Sequence, residues 1–362
     1  MPFASHSISG PVYLIGYALA FSLSLFLTLM LIQLSEGALF FRNFFKRAEA
    51  LTGKDVNPFG GIAVIFSFVS VLWILYGLNI LEKDNLILFL AISTGVSMMM
   101  MLGLLDDIFH LPPKFKFAIQ TGIAFVMYAS GFQIERIGDL IELNHFSVLL
   151  TLLWIVGITN AINLIDGIDG LASGAVFLAC LTLAFVYLLR EIPEASFLAV
   201  TLGGSILGFS WFNFPPAKII LGDTGSLPLG FLVSLITLLP LNQGYTDEIY
   251  YLIPIITLLL PIMDTSFAFF RRIFKGVSPF AKDAEHFHHR LVKLGFGPTK
   301  AILVLFGICI FFDLTALVPV YNINLIPQFV PKYFLFCGIA VLGLVLLLRQ
   351  MELKRSKGLS KK

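Results

Sequence analysis

The chain has 362 residues, of which 58% are hydrophobic and only 13% charged, with a net charge of +2 and a mean hydropathy of +0.92. This balance excludes a soluble globule and a disordered chain, and the charge is too small to argue for nucleic acid, so the composition describes a polytopic membrane protein. Cys180, Cys309 and Cys337 lie in apolar runs without paired spacing, which fits neither a disulfide framework nor a metal knuckle.

A helix needs about 20 apolar residues to cross the hydrocarbon core. Such runs occur near 11–34, 58–78, 86–105, 117–132, 146–159, 170–189, 196–213, 227–241, 249–270, 299–320 and 331–350, which predicts an all-α polytopic membrane protein with about eleven transmembrane helices. The fourth and fifth runs are short, and Pro254 and Pro261 are placed to kink the ninth. The first run has no Lys or Arg before it and is too long for the apolar core of a signal peptide, so it reads as a retained helix. The organisation expected is one integral-membrane domain over 1–350 and a basic tail over 351–362.

Eleven crossings put the two termini on opposite sides. The loops holding Arg42, Lys54, Lys114, Lys116, Lys218, Arg271, Lys282 and their neighbours, together with the tail, carry twenty of the 24 basic residues. Only Lys83, Arg136, Arg190 and Lys332 fall on the other side. The positive-inside rule then makes the C-terminus cytoplasmic and the N-terminus external.

Polar residues are gathered into five islands between the apolar runs, at 54–61, 106–116, 160–174, 218–226 and 271–291, all on the predicted cytoplasmic face. Ionisable groups beside lipid are expensive, so their repetition at one face reads as one functional site. In the second island, Asp106-Asp107 ends a Met-rich run and is followed by Lys114, Lys116 and Gln120. Adjacent carboxylates there suit a hard divalent cation or a base, although an exposed Asp-Asp helix end is also common.

The third island is more specific. Asn160, Asn163, Asp166 and Asp169 are each three residues apart, so in a helical or near-helical segment they line one side, and a glycine follows each aspartate. Ordinary turn chemistry explains one Asp-Gly pair but not this series. The fourth island sets Asp223 in the Gly-rich turn Leu221-Gly222-Asp223-Thr224-Gly225-Ser226 before a spanning run, where N–H groups can meet phosphate and the carboxylate can hold magnesium; a helix cap is compatible with both. In the fifth, His286, His288 and His289 lie beside Arg271, Arg272 and Lys282, a set that suits a pyrophosphate better than zinc, for which no matching Cys or His pair exists elsewhere.

Together, Asp106-Asp107, the run from Asn160 to Ala172, Gly222-Asp223-Thr224-Gly225-Ser226 and His286-Phe287-His288-His289 resemble the polyprenyl-phosphate N-acetylhexosamine-1-phosphate transferase family, over almost the whole chain and in order. The segment from Ser278-Pro279-Phe280 to His289 is more similar to the bacterial enzymes that use UDP-N-acetylglucosamine than to the muramoyl-pentapeptide branch. One departure is Asn57-Pro58-Phe59 before Gly60-Gly61, where family members often carry Thr-Pro or Pro-Arg; Lys54 keeps its spacing to those glycines and is expected to reach the nucleotide.

The resemblance implies transfer of a sugar 1-phosphate, most simply GlcNAc-1-phosphate, from a UDP-sugar to undecaprenyl phosphate in a bacterial cytoplasmic membrane, with release of UMP and initiation of a cell-envelope polysaccharide. It implies magnesium, with manganese as its substitute, held by Asp223 and Asn163. Asp106 or Asp107 would take the proton from the lipid phosphate or keep it ionised, Asp166 and Asp169 would orient the nucleotide or support the metal, and Asn160 would bind substrate. Lys114 would contact lipid phosphate or nucleotide, while His286, His288 and His289 would contact pyrophosphate or sugar. Direct in-line attack is favoured over a phospho-aspartyl intermediate. A homodimer and downstream membrane glycosyltransferases are the expected partners.

Two rivals fit less well. A CDP-alcohol phosphotransferase requires Ala-Arg after the second aspartate, whereas Asp169 is followed by Gly170-Leu171-Ala172-Ser173. A transporter predicts polar groups near mid-helix in repeats related across the membrane, and no internal repeat is seen.

Overall fold

The computed structural model describes residues 8–36, 56–138, 141–245, 247–278 and 285–321, with scattered helical positions between 336 and 350. Lys54, Lys282, most of the eleventh apolar run and the basic tail lie outside the described residues. Ten of the eleven runs meet helices: α1 (Gly10–Glu36), α2 (Gly60–Gly77), α3 (Leu86–Phe109), α4 (Pro113–Ala129), α5 (Phe146–Ile165), α6 (Leu171–Leu189), α7 (Pro193–Asn213), α8 (Asp223–Asn242), the pair α9 (Ile249–Thr257) and α10 (Leu259–Phe274), and α12 (Pro298–Leu317). A short α11 (Phe287–Lys293) precedes α12, and a two-stranded antiparallel ribbon pairs β1 (Arg136–Ile137) with β2 (Ile141–Glu142).

Among the described residues, eight helices are long and apolar enough to cross a membrane, nine if α9 and α10 form one span. The tenth, α4, has 17 residues, short of the about 20 that a crossing takes. The ninth run is bent by 71° at Leu258. Pro254 and Pro261 flank that break, and the missing N–H of Pro261 would have bonded the carbonyl of Thr257 in a continuous helix.

Helix α8 is the axis of the bundle. It is apolar all round, 94% of its span is buried, and α2, α3, α5, α6 and α7 pack against it. At its flank, α1 lies on α7 through a stripe of small residues, Gly16, Ala20, Ser24 and Thr28, all buried. Opposite them, a Cβ at Gly204 or Gly208 would stand 2.6 or 2.4 Å from a backbone oxygen of α1, so the two backbones touch as small-residue seams allow in lipid. The described core is essentially one apolar cluster running from α1 to α12.

Candidate active site

The first, second and fourth islands meet through backbone contacts that only glycine permits. The first island runs beside the fourth: Asn57 O accepts from Ile220 N at 2.9 Å, while Gly60 N and Gly61 N donate to Ile220 O and Leu221 O at 3.0 Å. A Cβ at Gly61 would lie 2.2 Å from Gly225 Cα, and one at Gly103 would lie 2.1 Å from Asp223 O, which brings α2 and α3 hard against the start of α8. Gly222, at φ +68°, supplies the left-handed turn that opens α8. Asn57, read from the sequence as a departure in a contact segment, makes an Asx turn to Phe59 N (2.9 Å) and is buried.

At the junction sits a cluster of carboxylates around one ammonium. Lys116 Nζ donates to Asp106 Oδ2 at 2.7 Å and also to Asp223 Oδ2. Asp106 Oδ1 accepts from Leu111 N at 2.7 Å. Asn163 Nδ2 donates to Asp223 Oδ1 at 2.7 Å and to Ser226 Oγ at 2.8 Å. Side chains from α3, α4, α5 and α8 therefore share a single charge centre, and at 13 to 28% exposure its carboxylates keep a route to solvent or ligand.

The two neighbouring aspartates do different things. Asp107 is buried and has both oxygens engaged: Oδ1 accepts from Asp223 N at 2.9 Å, and Oδ2 accepts from Thr224 N at 2.8 Å and Thr224 Oγ1 at 2.6 Å. A carboxylate on α3 thus satisfies the first donors of α8, where the helix dipole favours negative charge. Asp106, by contrast, faces the ammonium.

Lys116, rather than the Lys114 that the resemblance implies, is the lysine at the centre. Because α4 starts at Pro113, residues 114 and 116 stand about 200° apart around the helix, and Lys114 lies on its exposed side. The register from the proline was the signal that separates them.

The third island is split by the end of α5. Asn160 and Asn163 are helical, whereas Asp166 caps the helix and Asp169 lies in the turn before α6, so the four do not share one helix face. Asn160 Nδ2 donates to Gln120 Oε1 at 2.7 Å and to Val156 O, tying α5 to α4 one turn away from Asn163. Asp166 and Asp169 are half-buried. Between them, at Gly167, a Cβ would lie 2.1 Å from His288 Nε2, so the histidine segment closes over this turn.

His286 and His288 are buried. His286 Nδ1 lies 2.7 Å from Asp264 Oδ2, and Phe287 N donates to Asp264 Oδ1 at 2.8 Å. The rings of His288 and His289 are 4.1 Å apart. Burial, then the neighbouring His289 and His286, push His288 down to about 4 against the pull of Asp264, so it is neutral at pH 7. Asp264 was missed in the sequence; its signal was a solitary charge within the apolar stretch from Leu252 to Phe270. Asn213 was missed as well: its side chain accepts from Ser173 Oγ at 2.9 Å and donates to Ile219 O at 3.0 Å, joining the third island to the fourth.

Among the described residues, no three His, Cys, Asp or Glu side chains form a ready ligand shell. Magnesium does not require one, since it commonly takes one or two carboxylates plus water and substrate phosphate. Asp106 Oδ2 and Asp223 Oδ2, which already converge on one cation, fit that donor set, and Asn163 holds the second oxygen of Asp223.

The chain is similar to known proteins over most of its length. Residues 89–240 match glycosyl transferase family 4. A probable undecaprenyl-phosphate N-acetylglucosaminyl 1-phosphate transferase of Bacillus subtilis is 39% identical over 270 residues, covering 73% of this chain and 74% of that one. The undecaprenyl-phosphate alpha-N-acetylglucosaminyl 1-phosphate transferase of Thermotoga maritima is 30% identical over 310 residues (84% and 87%). The phospho-N-acetylmuramoyl-pentapeptide-transferase of the same organism is 31% identical over 299 residues (78% and 92%).

Proposed function

The chain belongs to glycosyl transferase family 4, and from that premise we propose that it transfers N-acetylglucosamine 1-phosphate from UDP-N-acetylglucosamine to undecaprenyl phosphate. An oxygen of the lipid phosphate attacks the β-phosphorus of the nucleotide sugar. The bond between the β-phosphorus and the bridging oxygen breaks, UMP leaves with that oxygen, and a lipid-linked pyrophosphoryl sugar remains. The observation that carries the reading is the cluster of Asp106, Lys116, Asn163 and Asp223, four side chains from four helices around one positive charge.

Attack of one phosphate on another calls for charge neutralisation and alignment more than for covalent work by the protein. Lys116 brings a fixed cation to the point where both anionic substrates must meet. Asp106, on the ammonium and outside the clamp made by Asp107, keeps the lipid phosphate ionised or takes its proton. Asp223 and Asn163, with Asp106, would hold magnesium, which when bound offsets charge on the phosphates. Asp166 and Asp169, at the turn against His288, orient the nucleotide, and His288 and His289 contact pyrophosphate or sugar. In this reading the site faces the cytoplasm, the source of the nucleotide, in a bacterial inner membrane that supplies the lipid.

The test is UMP release by the purified protein in detergent, with undecaprenyl phosphate, magnesium and either UDP-N-acetylglucosamine or UDP-N-acetylmuramoyl-pentapeptide. Release with the first donor and not the second supports the proposal. Release with the second alone moves the protein to the peptidoglycan branch, to which its likeness to the Thermotoga pentapeptide transferase gives weight.

A further inference from the structure

Asp264 is the only charged side chain between Leu252 and Phe270, and it is buried. Taking a carboxylate out of water costs several kcal/mol unless its oxygens find donors of good geometry. Here both are used, and both by the histidine segment: Oδ1 receives Phe287 N at 2.8 Å, the first N–H of α11, and Oδ2 meets His286 Nδ1 at 2.7 Å. His286 opens α11 without capping it through its own side chain; the cap comes from α10. The His286 side chain, 5% exposed, is enclosed with that of Asp264. Its ring lies parallel to that of His288 with centroids 5.8 Å apart, and His288 in turn meets the turn at Gly167.

We infer that Asp264 and His286 are a positioning pair, which seats His288 and His289 over the Asp166–Asp169 turn through the Nδ1–carboxylate bond. This rests on the activity proposed above and gives His286 a role other than the substrate contact that the family resemblance implies. The bond fixes the tautomer as well as the place: a carboxylate only accepts, so Nδ1 carries the proton. What His286 contributes is then a donor at the Nδ1 position, which an asparagine amide reproduces and an alanine does not.

The experiment compares His286→Asn, His286→Ala, Asp264→Ala and the Asp264→Ala/His286→Ala double variant for UMP release, with 15N spectra of histidine-labelled wild type and Asp264→Asn. His286→Asn is expected to keep kcat/KM within about threefold of wild type, while each alanine variant loses about tenfold or more, and the double loses no more than the worse single. A merely space-filling role would not separate Asn from Ala in this way. The spectrum of wild type is expected to show His286 protonated at Nδ1, and that of Asp264→Asn to show the proton moved to Nε2. His286→Asn as inactive as His286→Ala, additive losses, or a wild-type Nε2–H tautomer would each overturn the inference. Should wild type release no UMP, the activity reading falls by itself, because the spectra test the pair without turnover.

Discussion

Asp107→Ala should damage the fold at the start of α8, whereas Asp106→Asn should damage the reaction alone. In Asp107→Ala two backbone N–H groups and one hydroxyl lose a buried carboxylate partner, at 2.9, 2.8 and 2.6 Å in the intact protein. At about 1–3 kcal/mol for each of these three donors left unsatisfied, the loss amounts to roughly 3–9 kcal/mol, a large fraction of the about 5–15 kcal/mol that stabilises a folded domain. Asp107→Asn can keep both Thr224 contacts on its amide oxygen but sets its NH2 against Asp223 N–H, for a loss of about 2–3 kcal/mol. Asp106→Asn still accepts from Leu111 N and leaves Lys116 its pairing with Asp223, so its stability effect should be about 1 kcal/mol. Thermal unfolding in detergent, read with UMP release on the same samples, separates the two: the midpoint should drop by several degrees for both Asp107 variants and barely move for Asp106→Asn, which nonetheless loses turnover. An unshifted midpoint in Asp107→Asn with turnover abolished would refute the clamp and make Asp107 a reacting group.

Three other outcomes follow from the geometry. Lys116→Met leaves Asp106 and Asp223 without the cation between them and should lower kcat/KM by about a hundredfold or more, whereas Lys114→Ala should cost far less; equal losses on UMP release would dismiss the centrality of Lys116. Gly167→Ala puts a methyl 2.1 Å from His288 Nε2 and should raise the KM for UDP-N-acetylglucosamine; an unchanged KM would show that this contact is unrelated to the donor. His288 is held neutral, its folded value near 4 against 6.5, so the unfolded chain binds the extra proton and stability is complete above pH 6.5 and declines as pH falls from there toward 4, by on the order of 3 kcal/mol. Acid unfolding followed for wild type and His288→Gln checks this, since the substitution should flatten the decline in that window.

The apolar runs were legible because a bilayer accepts only long ones, and ten of the eleven carry helices, but among the described residues eight, or nine with the bent pair, are long and apolar enough to cross. The bend at Leu258 was legible from Pro254 and Pro261. The convergence of the islands was legible too, because charges beside lipid need one another. Which of two charges does what was not. Asp106 and Asp107 are adjacent in sequence, yet successive residues on a helix point about 100° apart, so one meets Lys116 and the other α8. The same phase separates Lys116 from Lys114. Asp264 was not legible because its partners His286 and Phe287 lie 22 and 23 residues away, so no local spacing marks it. The Asn160-to-Asp169 series kept its spacing but not its helix, because the chain turns at Asp166.

The central claim is tested most directly by supplying the purified protein with undecaprenyl phosphate and UDP-N-acetylglucosamine and measuring UMP with magnesium present and after its removal by EDTA. The account predicts UMP and lipid-linked product in equal amounts, dependent on magnesium and lost in Asp223→Ala. Release that persists in Asp223→Ala, or the absence of release with magnesium and both substrates present, would contradict it.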